Sequence, residues 1–142
     1  MRPLLAVALL VGFAPAAPVP KTLKKQDDKD AILGTWNPAP GRTEWFEFKA
    51  DGNMKAWNTG VSAASGVPYK WSIDPTATPK RMTWYSPGEA KPSWEGVYEL
   101  DGDTLKVCSG GGKARPTELK AVGKGGMLNT FKRVKDEPKK DK

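Results

Sequence analysis

The fold of this chain is decided by residues 96–108, which read Gly96-Val97-Tyr98-Glu99-Leu100-Asp101-Gly102-Asp103-Thr104-Leu105-Lys106-Val107-Cys108. Apolar and polar residues alternate with a period of two on both sides of Asp101-Gly102, which is typical of strands with one buried face. Asp-Gly between two such runs predicts a tight hairpin, because a two-residue turn favours positive φ. With this turn Tyr98 would pair with Leu105, and both side chains would share one face.

The same alternation recurs throughout residues 31–134. The strand-like runs are 34–37, 43–49, 54–58, 67–73, 80–85, 93–100, 104–109 and 115–134. The last run is expected to hold two strands divided at 123–126, and a helical turn is expected only around 28–33. Short strands with Gly and Pro breaks at this spacing predict an all-β sandwich or barrel of about eight antiparallel strands.

A second Asp-Gly hairpin is expected at Asp51-Gly52. A two-residue loop would pair Phe48 with Lys55, an apolar residue with a charged one. A longer loop that pairs Phe48 with Ala56 agrees better with the alternation.

Two tryptophans, Trp45 and Trp57, are out of phase with the predicted buried face of this hairpin. Exposed indoles can stack on sugars or drugs. They can equally cover an open end of a barrel, and the sequence leaves both interpretations open.

Residues 1–16 are typical of a secretory signal peptide. Met1-Arg2 supplies a positive end, residues 4–13 form an apolar run, and Ala14-Pro15-Ala16 supplies the small residues of a cleavage site. The apolar run is shorter than the roughly 20 residues of a membrane-spanning helix, although a retained N-terminal anchor is the alternative. The protein is therefore expected to be exported, periplasmic or extracellular, without stable membrane insertion after cleavage.

Composition divides the rest of the chain into three parts. Residues 17–30 are charged and poor in apolar residues, which predicts a disordered linker, and 135–142 predict a disordered charged tail. The folded domain is therefore expected to span 31–134. The net charge of +7 is spread along the chain without a dense Lys/Arg block, so no nucleic-acid partner is expected. No feature of the sequence identifies a protein partner.

The residues of most catalytic and metal sites are missing from this sequence. It has no His and one Cys, which excludes His-based triads, His-ligated metals and thiolate zinc sites. Residues 110–113 lack the spacing and helix of a phosphate loop, and Glu95 and Glu99 are expected on the solvent face. No catalytic residue, metal ligand or cofactor is therefore expected, and the protein is predicted not to be an enzyme. Cys108 is expected to be buried and inert, with a reactive thiol as the alternative.

Short motifs follow one another in order between residues 31 and 134. They are Leu33-Gly34-Thr35-Trp36, Ile73-Asp74-Pro75, Thr78-Pro79-Lys80, the hairpin 96–108, Arg115-Pro116-Thr117-Glu118 and Phe131-Lys132-Arg133. In this order and spacing they resemble the small exported lipocalin-like domains abundant in planctomycete bacteria. The chain departs from that pattern at Leu119, where Phe is usual, and in a short stretch after Trp36. The resemblance implies a lipocalin-like up-and-down β-barrel and no activity, because no function is established for that family.

Gly34 and Trp36 also resemble the lipocalin signature at the start of the first strand. In that signature a late Arg packs over the Trp, and Arg133 is the matching residue. A guanidinium on an indole face adds about 0.5–2 kcal/mol and would close the end of the barrel. The resemblance therefore implies a structural, barrel-closing role for Gly34, Trp36 and Arg133.

Two functions remain open at the level of sequence. The first is a binding protein that holds a small apolar or aromatic ligand in the barrel interior or mouth. Its expected ligand-binding residues are Phe46, Phe48, Tyr69, Trp71, Met82, Trp84, Tyr98 and Leu105. The alternative is an envelope structural or protein/polysaccharide interaction module, with a filled barrel and an exposed aromatic patch around Trp45 and Trp57.

Overall fold

The computed structural model describes residues 27–110, 114–120 and 126–135. Its strands are β1 Gly34–Pro38, β2 Glu44–Phe48, β3 Asn53–Asn58, β4 Val67–Asp74, β5 Arg81–Tyr85, β6 Trp94–Asp101, β7 Thr104–Ser109 and β8 Met127–Arg133. Each strand pairs antiparallel with the next, and β8 returns to pair with β1, which closes an up-and-down barrel. The predicted all-β barrel of about eight strands is confirmed.

The first element is a short helix, α1, which spans Asp28–Ala31 and is capped by the Asp27 side chain. It lies in the predicted helical turn, but it starts before residue 31, where the sequence placed the domain boundary. The buried Asp28 therefore belongs to the fold and not to a disordered linker. The predicted signal peptide 1–16 lies outside the described residues, as do 17–26 and 136–142.

The core fills the barrel interior with the side chains that alternate inward. The most deeply buried of them are Ile32, Trp36, Phe46, Phe48, Met54, Met82, Tyr98, Leu105 and Phe131, all 0–2% exposed. Large rings supply most of this volume, which is how a chain of modest hydrophobic content forms a packed core. A short 3-10 helix at Ala63–Ser65 interrupts the connection from β3 to β4.

The β6–β7 hairpin has the predicted faces but a different register. Tyr98 lies opposite Val107 and not Leu105, because the two loop residues are Gly102 and Asp103. Gly102 adopts φ +54°, as a tight hairpin turn requires. Moving the loop by one residue shifts every partner by two positions, and an even shift leaves each side chain on the same face.

The β2–β3 hairpin also has a register that the sequence did not predict. Phe48 lies opposite Met54 and not Ala56, which pairs with Phe46 instead. The backbone N–H of Lys49 donates to Asn53 O at 2.9 Å, which leaves a three-residue loop that ends at Gly52. Gly52 adopts φ +81°, the left-handed position of a three-residue hairpin loop.

The prediction of two strands in 115–134 is wrong for the described part of that run. Residues 114–120 form no strand, and β8 is the one strand that follows; 121–125 lie outside the described residues. Residues 114–120, here called the outer segment, bind the outside of the barrel. The Arg115 guanidinium donates to the carbonyls of Met82 and Gly96, which face each other across β5 and β6. This side chain holds the segment to the barrel in place of a strand ladder.

Cys108 is covered on the outer face of the barrel. It alternates outward beside Val97, yet the two are 0% and 1% exposed. The Cys108 Sγ donates to Lys120 O of the outer segment at 3.1 Å. Burial raises the pKa of the Cys108 thiol above its usual value, which disfavours the reactive thiolate.

The Cys108 thiol is therefore expected to react with Ellman's reagent at least about a hundredfold more slowly in the folded protein than in denaturant, because the outer segment must open first. The release of the coloured thiolate under native and denaturing conditions measures this ratio. Rapid stoichiometric reaction of the folded protein would show that the outer segment does not protect the thiol.

Candidate ligand site at the barrel mouth

The two ends of the barrel differ. At one end, here called the closed end, α1 and the following residues lie across the opening, and Trp36 Nε1 donates to Ile32 O at 2.8 Å. The opposite end is here called the mouth. Strands β2, β6 and β8 begin there, and strands β5 and β7 end there. A cleft of about 430 Å³ opens there.

The three residues of the lipocalin-type signature meet at the closed end. The Arg133 guanidinium carbon lies 4.3 Å from the centroid of the Trp36 ring. Arg133 also donates to Leu33 O at 2.6 Å and to Ala31 O, so it satisfies carbonyls that the end of α1 leaves without helical partners. A Cβ on Gly34 would lie 3.4 Å from Arg133 Nη1, so the small residue leaves room for the guanidinium.

A second contact, which the sequence did not reveal, fastens α1 to the barrel. The Asp28 carboxylate accepts from Tyr98 Oη at 2.9 Å and from Lys80 Nζ at 2.6 Å. Burial raises the pKa of Tyr98, and the hydrogen bond to Asp28 and its negative charge raise it further. The tyrosine stays neutral and donates its proton to the carboxylate. Asp28 lies in a charged run that resembles a linker, and only the fold shows its partners.

The cleft at the mouth is lined mainly by aromatic and small polar residues. They are Glu44, Phe46, Trp84, Pro92, Ser93, Trp94, Glu95, Val107, Ser109, Gly110, Met127, Asn129 and Phe131. Trp84 stacks on Trp94 with ring centroids 4.2 Å apart and planes 17° apart. Phe46 contacts Trp84 edge-on at 4.9 Å and Phe131 at 4.8 Å. Phe46, Trp84 and Phe131 are 1–7% exposed, so the half-buried Trp94 is the ring of this cluster that presents most apolar surface to a ligand.

Two polar atoms in this lining have no hydrogen-bond partner among the described residues. They are the indole Nε1 of Trp84, a donor, and the amide Oδ1 of Asn129, an acceptor. Trp84 is only 7% exposed, so its N–H is largely withdrawn from solvent. Buried donors and acceptors are almost always satisfied in folded proteins, and each unmade bond costs about 1–3 kcal/mol. Both atoms are buried behind the surface of the cleft, so a bound molecule would reach them only by displacing the side chains that cover them.

The structure distributes the eight expected ligand-binding residues over four regions. Phe46 and Trp84 line the mouth cleft. Tyr69 lines a neighbouring cleft of about 300 Å³, and Trp71 lies toward the closed end, where its Nε1 donates to Lys49 O. The other four pack into the core: Phe48, Met82, Tyr98 and Leu105. Trp94, Phe131 and Asn129 were not expected, although Trp94 follows the inward alternation of β6.

The two out-of-phase tryptophans lie on the outer face of the barrel. Trp45 and Trp57 are direct cross-strand partners, with ring centroids 6.1 Å apart and planes 18° apart. Trp45 Nε1 donates to Thr59 Oγ1 at 3.0 Å. Trp45 and Trp57 are both half-buried. The pair is a stacked aromatic surface that leaves part of each ring open to solvent.

Among the residues that the structure describes, no three Cys, Asp or Glu side chains are grouped to hold a metal ion. No helix in the described ranges has the length and apolar character to cross a membrane. No protein-family model, curated protein or solved structure matches this chain.

Proposed function

We propose that this is an exported, non-enzymatic, lipocalin-like protein that binds a small aromatic ligand in the mouth of its barrel. The observation that carries the proposal is the cleft of about 430 Å³ at the mouth, which four aromatic residues line; two of its lining residues, Trp84 and Asn129, also carry a buried polar atom without a partner among the described residues. Ligand sites are typically apolar concavities with a few placed polar groups that fix orientation. Export rests on the signal-like pattern of residues 1–16.

The packing of the barrel limits how deep such a ligand would lie. Phe46 and Phe131 form the floor of the cleft and are 1% and 2% exposed. Below them Phe48, Met54 and Leu105 fill the interior. A ligand would therefore rest on this floor and stack beside the Trp84–Trp94 pair, without entering the closed half of the barrel.

A second candidate function uses the outer face. The stacked Trp45–Trp57 pair would bind a sugar ring or a protein in the envelope interaction module. The pair has another role already, since cross-strand aromatic pairs stabilise a sheet on their own. The mouth cleft is favoured because it is a concavity of about 430 Å³ with aromatic residues in its lining, whereas the Trp45–Trp57 pair lies on the outer face.

The proposal predicts which of the six tryptophans respond to a ligand. One- and two-ring aromatic compounds, in cationic, neutral and anionic forms, are screened by ¹⁵N–¹H NMR. Those that bind are expected to shift the indole N–H signals of Trp84 and Trp94. The Trp84 signal should move downfield, because its N–H gains an acceptor. The N–H groups of Trp36 and Trp71 already donate to backbone carbonyls and serve as internal controls.

Single Trp→Phe variants assign the six signals. Shifts confined to Trp45 and Trp57 would favour the outer-face module instead. Unmoved indole signals with every compound would refute a ligand site at the mouth.

A further inference from the structure

We infer that the mouth cleft selects small organic cations, with the Glu44 carboxylate as their counter-ion. This inference rests on the proposed function and names the chemical class of the ligand. The class is a flat aromatic molecule that carries an ammonium group. Its basis is the position of Glu44, the lack of a partner for its carboxylate among the described residues, and the aromatic rings beside it.

Glu44 is an inward-facing residue at the rim of the barrel. It is the first residue of β2 and shares its face with Phe46 and Phe48, which both lie in the core. It lines the 430 Å³ mouth cleft and also the neighbouring 300 Å³ cleft. The chain thus places a carboxylate where the alternation otherwise puts apolar side chains.

The Glu44 carboxylate makes no hydrogen bond or ion pair with any residue in 27–110, 114–120 or 126–135. The other acid of the lining, Glu95, is held by Arg115 at 2.6 Å. Arg42, two residues before Glu44, directs its Nη1 at Met127 Sδ at 3.7 Å. The lining residues that the structure describes include these two acids and no Lys or Arg.

The surroundings of Glu44 are partly desolvating, even though the side chain remains exposed at the mouth. This desolvation raises the pKa of the Glu44 carboxyl above its usual value. A raised pKa in the folded state means that the ionised carboxylate weakens the fold at neutral pH, and that protonation relieves the cost. A bound cation would offset the same cost, which links the unfavourable position to a ligand.

The other groups of the cleft suit an ammonium on an aromatic body. An ammonium has three donors and no acceptor, and the Glu44 carboxylate in the lining is an acceptor. The faces of Trp84 and Trp94 attract a cation through the ring quadrupole. An acceptor elsewhere on the ligand would bond the Trp84 N–H.

Three naphthalene probes of matched shape and different charge test the inference. They are 2-(1-naphthyl)ethylammonium, its neutral isostere 1-propylnaphthalene, and the anion 3-(1-naphthyl)propanoate, each titrated calorimetrically into the full chain at pH 7. We expect the cation to bind about tenfold more tightly than the neutral probe, the scale of a partly exposed charged hydrogen bond. The anion should bind more weakly than both.

Two variants distinguish the effect of the Glu44 carboxylate on cation binding from the effect of the net charge of the protein. Glu44→Gln should abolish the tenfold preference of the cation over the neutral probe. Glu47→Gln makes the same charge change on the same strand but on the outer face, and it should keep the preference. Glu44→Gln should also melt at the same or a higher temperature, so lost cation binding could not be attributed to misfolding.

The possible results test cation selection and the proposed ligand site separately. Equal binding of the three probes would overturn cation selection and leave the proposed function standing. Preference for the anion, or loss of the preference in both variants, would also overturn cation selection. If no probe binds, the inference fails, and the indole shifts decide the proposed function independently.

Discussion

Replacing Arg133 with methionine is expected to lower the free energy of unfolding by about 3 kcal/mol. Methionine keeps an apolar stem over the Trp36 ring but removes the guanidinium. The carbonyls of Ala31 and Leu33 then lose their charged donor, and the Asp103 carboxylate loses the Arg133 Nε at 3.1 Å. Loss of the cation–π contact with Trp36 adds to the cost.

Urea denaturation followed by tryptophan fluorescence measures this change. Arg133→Lys should fall between the native protein and Arg133→Met, because an ammonium keeps the charge but cannot reach both carbonyls as a planar fork does. The neighbouring Lys132 is exposed and bonds only Thr104 Oγ1, so Lys132→Met should cost less than about 0.5 kcal/mol. A loss below about 1 kcal/mol for Arg133→Met would contradict the role of Arg133 in closing the barrel.

The faces of the strands were predictable from the sequence, whereas their registers were not. Alternation is a local property, and Tyr98 and Leu105 share the core face in the structure as they did in the pattern. Register depends on which residues form the turn, and Asp101 proved to be the last strand residue and not part of the loop. In the β2–β3 hairpin the three-residue loop is 50–52, one position before the loop that pairing Phe48 with Ala56 would require.

Long-range contacts explain the larger errors. In the sequence, Asp28 is one more charged residue of a linker-like run. In the fold, Tyr98 lies beside it from 70 residues away and Lys80 from 52 residues away. The outer segment makes no strand pairing, and its Arg115 side chain bonds the barrel at Gly96 O and Thr83 Oγ1. Neither partner can be identified from local periodicity, since both depend on the closed sheet.

The mouth could be predicted only in part for the same reason. Phe46 and Trp84 follow the inward alternation, which identified them. Which inward residues line an opening depends on where each strand ends, and this separates them from Phe48 and Met82 in the core. Glu44 follows the inward alternation too, but its charge gave no reason to place it inside before the barrel was known.

Gly96→Ala is the second substitution expected to have a large effect, because it combines a loss of stability with a loss of the cleft. Gly96 is an inward position of β6 over which the Trp94 ring lies. A Cβ there would stand 2.1 Å from Trp94 Cη2 and 2.6 Å from Cys108 O. The ring can move but the carbonyl is part of the β6–β7 ladder, so we expect a loss of about 3 kcal/mol.

A double-mutant cycle with Trp94→Ala separates the two contacts. In the Trp94→Ala background the ring is gone, so Gly96→Ala should cost clearly less, and the remaining cost reports the Cys108 carbonyl. The near-ultraviolet circular dichroism of the Trp84–Trp94 pair should weaken in Gly96→Ala even under conditions where the barrel stays folded. Equal costs in the two backgrounds would show that Gly96 does not seat the ring. A smaller cost with Trp94 removed would mean that the absence of a side chain at Gly96 positions the Trp94 ring, which forms one wall of the ligand site.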